Sequence, residues 1–129
     1  MAVTTYDAST VTLIIDGKYI TGFDEGSMVE WSKDEDNINT KIDAQGNVSV
    51  AINNNTLGTI TVNLSQSSPS LAYMKQLANT KKRFPIWAQG GSEKIGGTEA
   101  MVKKTPDGSF SDESEARSFE IQVFDYSDK

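Results

Sequence analysis

Residues 47–64 restrict this chain's fold more than any other stretch. Two strand-like runs there divide into an apolar side and a side of small, uncharged polar groups. Val48, Val50 and Ile52 alternate with Asn47, Ser49, Ala51 and Asn53, and Ile60, Val62 and Leu64 alternate with Thr59, Thr61 and Asn63. Side chains along a strand point to opposite faces, so each run has one side to bury and one to wet. The wet side holds no Lys, Arg, Asp or Glu, although solvent-facing strand positions commonly carry charge. Such a hydroxyl- and amide-lined surface suits a passage through which something slides without sticking. An ordinary solvated sheet face built from good strand formers fits the same pattern equally well.

Composition removes several functions. At 129 residues, a single domain with one core is expected over 1–129. The formal charge is 12 − 18 = −6, spread along the chain, so the clustered cations of a duplex-binding surface are missing. Without Cys there is no disulfide, thiolate metal site or cysteine nucleophile, and without His the commonest general base and metal ligand are gone. No enzyme activity and no cofactor are expected. Met1 to Thr10 has neither the basic region nor the apolar stretch of a signal peptide, and no apolar run approaches the ~20 residues of a membrane helix. The expectation is synthesis and first folding in the cytoplasm, with no membrane partner.

Outside 47–64 the strand signals continue. Thr10–Ile15 alternates and is followed by Asp16-Gly17, a strong two-residue hairpin signal, and by a return over Lys18–Phe23. Met28–Lys33 and Ile38–Ile42 read as the two legs of a long hairpin, with Asp34-Glu35-Asp36-Asn37 as its acidic tip. Ser68 and Pro69 open the one convincing helix, whose stripe is Leu71, Met74, Leu77 and Ala78. Lys81, Lys82 and Arg83 follow it, where positive charge complements the helix dipole. Phe84–Gln89 is a strand that Pro85 assigns to a sheet edge. Gly90-Gly91-Ser92 and Gly96-Gly97 are expected to flank a loop. Thr98–Lys104 and Ala116–Tyr126 are strands, joined by a polar, acidic loop over 105–115. The fold class expected is mainly β: an antiparallel sandwich or barrel with one α-helix packed on it.

The features that suggest chemistry have plainer explanations. The acidic run at 34–37 lacks the glycine and distal glutamate of a calcium loop, so no metal site is assigned. The 90–97 glycines lack the Gly-Lys-Ser/Thr ending of a phosphate cradle. Asp107, Asp112, Glu113 and Glu115 lie in a loop, whereas carboxylate catalysis needs rigid placement, so no catalytic residue is assigned. Trp31, Trp87, Phe84 and Tyr73 read as core or subunit-contact anchors.

The order of these elements, with the opening "TVTLIIDGKYITGF", the polar-faced "GNVSVAINNNTLGTITVNLS" leading into "SSPSLAYMKQLAN", and the ending "EARSFEIQVFDYS", resembles the tail tube proteins of contractile-tailed phages and phage-like injection particles. That family implies hexameric rings that self-assemble into a stacked tube, a virion tail component through which DNA passes on ejection. It implies as partners other copies of the chain, and with them tail sheath, baseplate initiator and tail terminator proteins, with DNA in transit but not specifically bound. Asn47, Ser49, Asn53, Thr59, Thr61 and Asn63 would face the channel. Trp31, Lys33, Asp34, Glu35, Asp36 and Asn37 would belong to an arm that stacks one ring on the next. The alternatives are a type VI-like secretion tube subunit, which shares the fold, and a non-enzymatic β-sandwich binding module, which would be a monomer.

Overall fold

A computed structural model describes Val3 and residues 5–129. A short 3-10 turn at Ala8–Thr10 leads into β1 (Thr12–Ile15), β2 (Lys18–Tyr19), β3 (Val29–Lys33), β4 (Ile38–Ile42), β5 (Val48–Ile52) and β6 (Gly58–Leu64). Then come α1 (Leu71–Thr80), β7 (Phe84–Gly90), β8 (Glu93–Val102), β9 (Arg117–Val123) and β10 (Ser127–Asp128). The expected fold class holds. One antiparallel sheet runs β2-β1-β7-β8-β9-β6-β3 with β10 added beside β8, and β4 and β5 form a second, two-stranded sheet.

The large sheet follows directly from alternation. β6 buries Ile60, Val62 and Leu64, and β9 buries Phe119, Ile121 and Val123 opposite them. Leu13, Ile15, Ile86, Ala88, Ile95, Ala100 and Val102 extend this apolar face across β1, β7 and β8. The helix closes it with Met74 and Leu77, so the expected stripe is the one that packs. The helix starts later than Ser68 and Pro69 suggested. Ser70 is its N-cap residue, while the Ser68 hydroxyl accepts from the Ser70 amide and donates to the Thr21 carbonyl. Asp16 and Gly17 have φ of 52° and 79°, the left-handed pair that a tight hairpin between twisted strands requires. Lys81 is the helix C-cap residue, but Lys82 reaches back to Asp16 at 2.6 Å and Arg83 stacks over the Phe124 ring, so two of the basic trio tie the chain after the helix to other elements.

Three local expectations are corrected. Pro85 lies in β7, between β1 and β8, not at an edge. The register shifts between Phe84 and Ile86, so its missing N–H falls at a bulge. Gly96 and Gly97 lie inside β8, and only Gly91-Ser92 turns the chain there. The hairpin over 28–42 does not form: β3 pairs with β6 through Val29↔Val62 and Trp31↔Ile60, and β4 pairs with β5. Both pairings satisfy alternation, and local sequence does not choose between partners of equal period.

Candidate assembly surfaces

The corrected pairing turns the acidic run from a tip into an elbow between the two sheets. Asp34 accepts from Thr59 Oγ1 at 2.8 Å and from Gln122 Nε2 at 3.0 Å, while its amide donates to the Leu57 carbonyl. Glu35 accepts from Asn53 Nδ2 at 2.9 Å, and Lys33 Nζ reaches Asn37 Oδ1. The bonds from Gln122 and Thr59 hold the Asp34 carboxyl below the usual carboxylate range, and Asn53 and Asn55 do the same for Glu35. A carboxylate with a lowered folded-state pKa stabilises at pH above its unfolded value of about 4, and that contribution disappears as pH falls through the lowered value. Acidification from about pH 6 to about pH 3 is therefore expected to loosen the elbow first. Amide protection factors, taken relative to the intrinsic exchange rate at each pH, should fall across 34–53 on acidification while β6 and β9 stay protected; an unchanged protection factor across 34–53 would remove the carboxylates from that role.

Beyond the elbow, β4 and β5 project as an arm. The pairs Ile38↔Ile52, Thr40↔Val50 and Ile42↔Val48 share one face, and Asn39↔Ala51 and Lys41↔Ser49 share the other. Ile38, Ile42, Val48, Val50 and Ile52 are 50% to 75% exposed. Alternation in this run thus separates an apolar face from a polar one, but among the described residues nothing covers the apolar face. Two strands alone bury too little to be stable in water, and a contiguous apolar patch of this kind marks a contact with another molecule. The real tip is 43–47, where Asp43 accepts from the Asn47 amide, Asn47 Nδ2 and the Gln45 amide.

The candidate channel residues therefore divide between two surfaces. Thr59, Thr61 and Asn63 lie side by side on the outer face of β6, but Ser49 is on the arm's polar face, Asn47 is in its tip and Asn53 is at the elbow. The outer face of β6 continues over its neighbours. Thr59 lies between Ser32 and Gln122, Thr61 between Glu30 and Glu120, and Asn63 beside Ser118, whose hydroxyl it accepts at 2.5 Å. This wall is hydroxyl-rich, and it carries carboxylates on both sides of Thr61. Sequence alone did not place Glu120 and Gln122 on this wall, because it does not reveal that β9 is the strand next to β6.

Of the residues assigned to a stacking arm, Asp34, Glu35, Asp36 and Asn37 fall at the elbow, and Trp31 and Lys33 lie on edge strand β3. Trp31 and Val29 face inward. Both line a cavity of about 560 Å³ together with Ala88, Ile95, Tyr6 and Val11. The arm's own apolar residues were missed. Val48, Val50 and Ile52 looked like core positions, and only the absence of a covering element identifies them as a contact face.

The fold of this chain is similar to that of solved structures from contractile injection systems. The structure of the anti-feeding prophage cap, described as its tube terminating cap, matches with a TM-score of 0.63 and 11% identity over 100% of this chain and 94% of that chain. The sheath/tube terminator of an extracellular contractile injection system, PVC, in its extended state, matches with a TM-score of 0.67 and 11% identity over 100% and 99%. At this identity the likeness is one of fold. No protein-family model matches the chain, and no curated protein does.

Proposed function

We propose that this chain is a structural subunit of the tail of a contractile, phage-like injection particle, and that it forms the ring that terminates the tube. The end-to-end fold match to two tube-terminating proteins carries this reading. The tail tube resemblance of the sequence agrees with it at the level of the machine, while the matched structures favour the terminal position over the body of the tube. The protein works physically, by assembly, and holds no reaction.

The surfaces described above supply the parts. The apolar arm face is covered by a neighbouring subunit, which gains the area that the arm leaves uncovered. Edge strand β3 offers unpaired backbone groups to the same neighbour. The wall of Thr59, Thr61, Asn63, Glu30 and Glu120 faces the bore, where uncharged hydroxyls give passing cargo little to hold and the carboxylates repel polyanions. The partners are other copies of the chain, the last ring of the tube and the adjoining sheath.

Electron microscopy of the purified protein, alone and mixed with tubes of the same particle, tests this. Single rings that bind only tube ends are expected. Long stacked tubes of the chain alone would place it in the tube body instead, and a monomer that ignores tube ends would return it to the class of β-sandwich binding modules.

A further inference from the structure

Residues 103–116, between β8 and β9, form a loop that the fold holds in place at unusual cost. Arg117, the first residue of β9, is only 6% exposed, and its guanidinium hydrogen bonds go to backbone carbonyls rather than to a carboxylate: Nη2 to Ser109 at 2.9 Å, and Nη1 to Glu115 and Ala116 at 3.4 Å. Burying a cation is expensive unless its donors are used, and here they are used on the middle of the loop at Ser109 and on its C-terminal end at Glu115 and Ala116. Glu115 accepts from the Ser109 and Ser111 hydroxyls, and its amide donates to Gln66 Oε1 at 3.3 Å. Gly108 lies directly on the guanidinium, where a Cβ would stand 2.7 Å from Nε.

What this clamp presents is Phe110, 94% exposed, beside the exposed acids Asp112 and Glu113; Asp107, also exposed, is paired with Lys104 at 4.0 Å. A phenyl ring held in water by a buried arginine contributes nothing to this chain's core. Aromatic side chains that fill a socket on a partner are the usual centres of interface energy, and charges around them select the partner. The location matters too. The loop leaves the Leu64–Arg117 end of the β6–β9 ladder, whereas the arm leaves the Gly58–Val123 end. The subunit therefore carries one contact element at each end of its central strands.

We propose that Phe110 is the anchor through which this chain docks a different protein, one with an apolar socket rimmed by Lys and Arg, at the end the arm does not use. A second copy is disfavoured as occupant, because the acidic loop would meet a chain of net charge −6. The inference rests on the terminal-ring reading, which supplies a tail component other than this chain at that end.

The test replaces Phe110 with the photo-crosslinking analogue p-benzoylphenylalanine in the full chain and irradiates purified particles. A cross-link to a different chain, at a peptide containing Lys or Arg, is expected. Adding Asp112→Lys and Glu113→Lys should lower its yield at least about tenfold, as loss of charge selection requires. Cross-links to another copy of this chain, or none in particles that contain it, would overturn the inference alone. Absence of the chain from purified particles would overturn the terminal-ring reading and this inference with it. Thermal melting of each variant, expected to be unchanged at so exposed a position, separates these outcomes from misfolding.

Discussion

Val50→Asp leaves a folded monomer that no longer joins other subunits. Val50 sits in the middle of the arm's apolar face, opposite Thr40, in the two-stranded sheet and not the large one. It is already 57% exposed, so the substitution should change folding stability by no more than about 0.5 kcal/mol. In an assembled contact the same position is covered, and an unpaired carboxylate there costs several kcal/mol, which weakens association by about a hundredfold or more. Ser49→Asp, one residue away on the opposite face, is the matched control and should assemble nearly as the parent does. Sedimentation velocity reads the association and thermal melting the fold. If Val50→Asp assembles normally, the arm's apolar face is not a subunit contact.

Gly96→Ala is expected to do the reverse, destabilising the fold without touching any proposed interface. Gly96 has φ of +151° within β8, paired through Trp87 to β7 on one side and through Ser127 to β10 on the other. A Cβ there would overlap the Ile86 carbonyl oxygen, which belongs to the backbone of a central strand and has nowhere to go. Strain of this kind, added to a broken ladder, should cost about 3 kcal/mol or more and lower the melting temperature by roughly 10 °C in a domain of this size. Gly17→Ala is the comparison. Its φ is +79°, but a Cβ there meets nothing within 4 Å, so only the left-handed penalty of about 1–2 kcal/mol remains. Chemical denaturation of the two variants measures the difference; equal losses would mean that the close approach at Gly96 can relax.

The elements themselves were legible because each carries its own period. The strands at 29–33, 38–42, 48–52 and 58–64, the hairpin at Asp16-Gly17 and the helical stripe Leu71, Met74, Leu77 and Ala78 all follow from side-chain spacing and turn chemistry. Mainly antiparallel β structure with one helix follows from their number and order. So does the two-faced character of 48–52, although not its meaning. Strand partners were not legible, since Met28–Lys33 and Ile38–Ile42 alternate equally well with each other and with the strands they actually meet. That ambiguity made Asp34–Asn37 look like a tip and left β9 unplaced, which kept Glu120 apart from Thr61.

The sequence by itself determined which residues alternate, where the chain turns, and that neither thiol nor imidazole chemistry is possible, because these depend only on residue type and neighbours in the chain. Tertiary structure decided which apolar faces are covered and which wait for another molecule. Ile60 and Val50 look alike in one dimension, yet one lies under the helix-capped sheet and the other stands in water on an arm. It also decided that Arg117 turns inward to hold the loop that precedes it, since burial of its side chain depends on how the whole sheet packs and not on its neighbours in the chain. Burial is a property of the packed whole, and no local pattern encodes it.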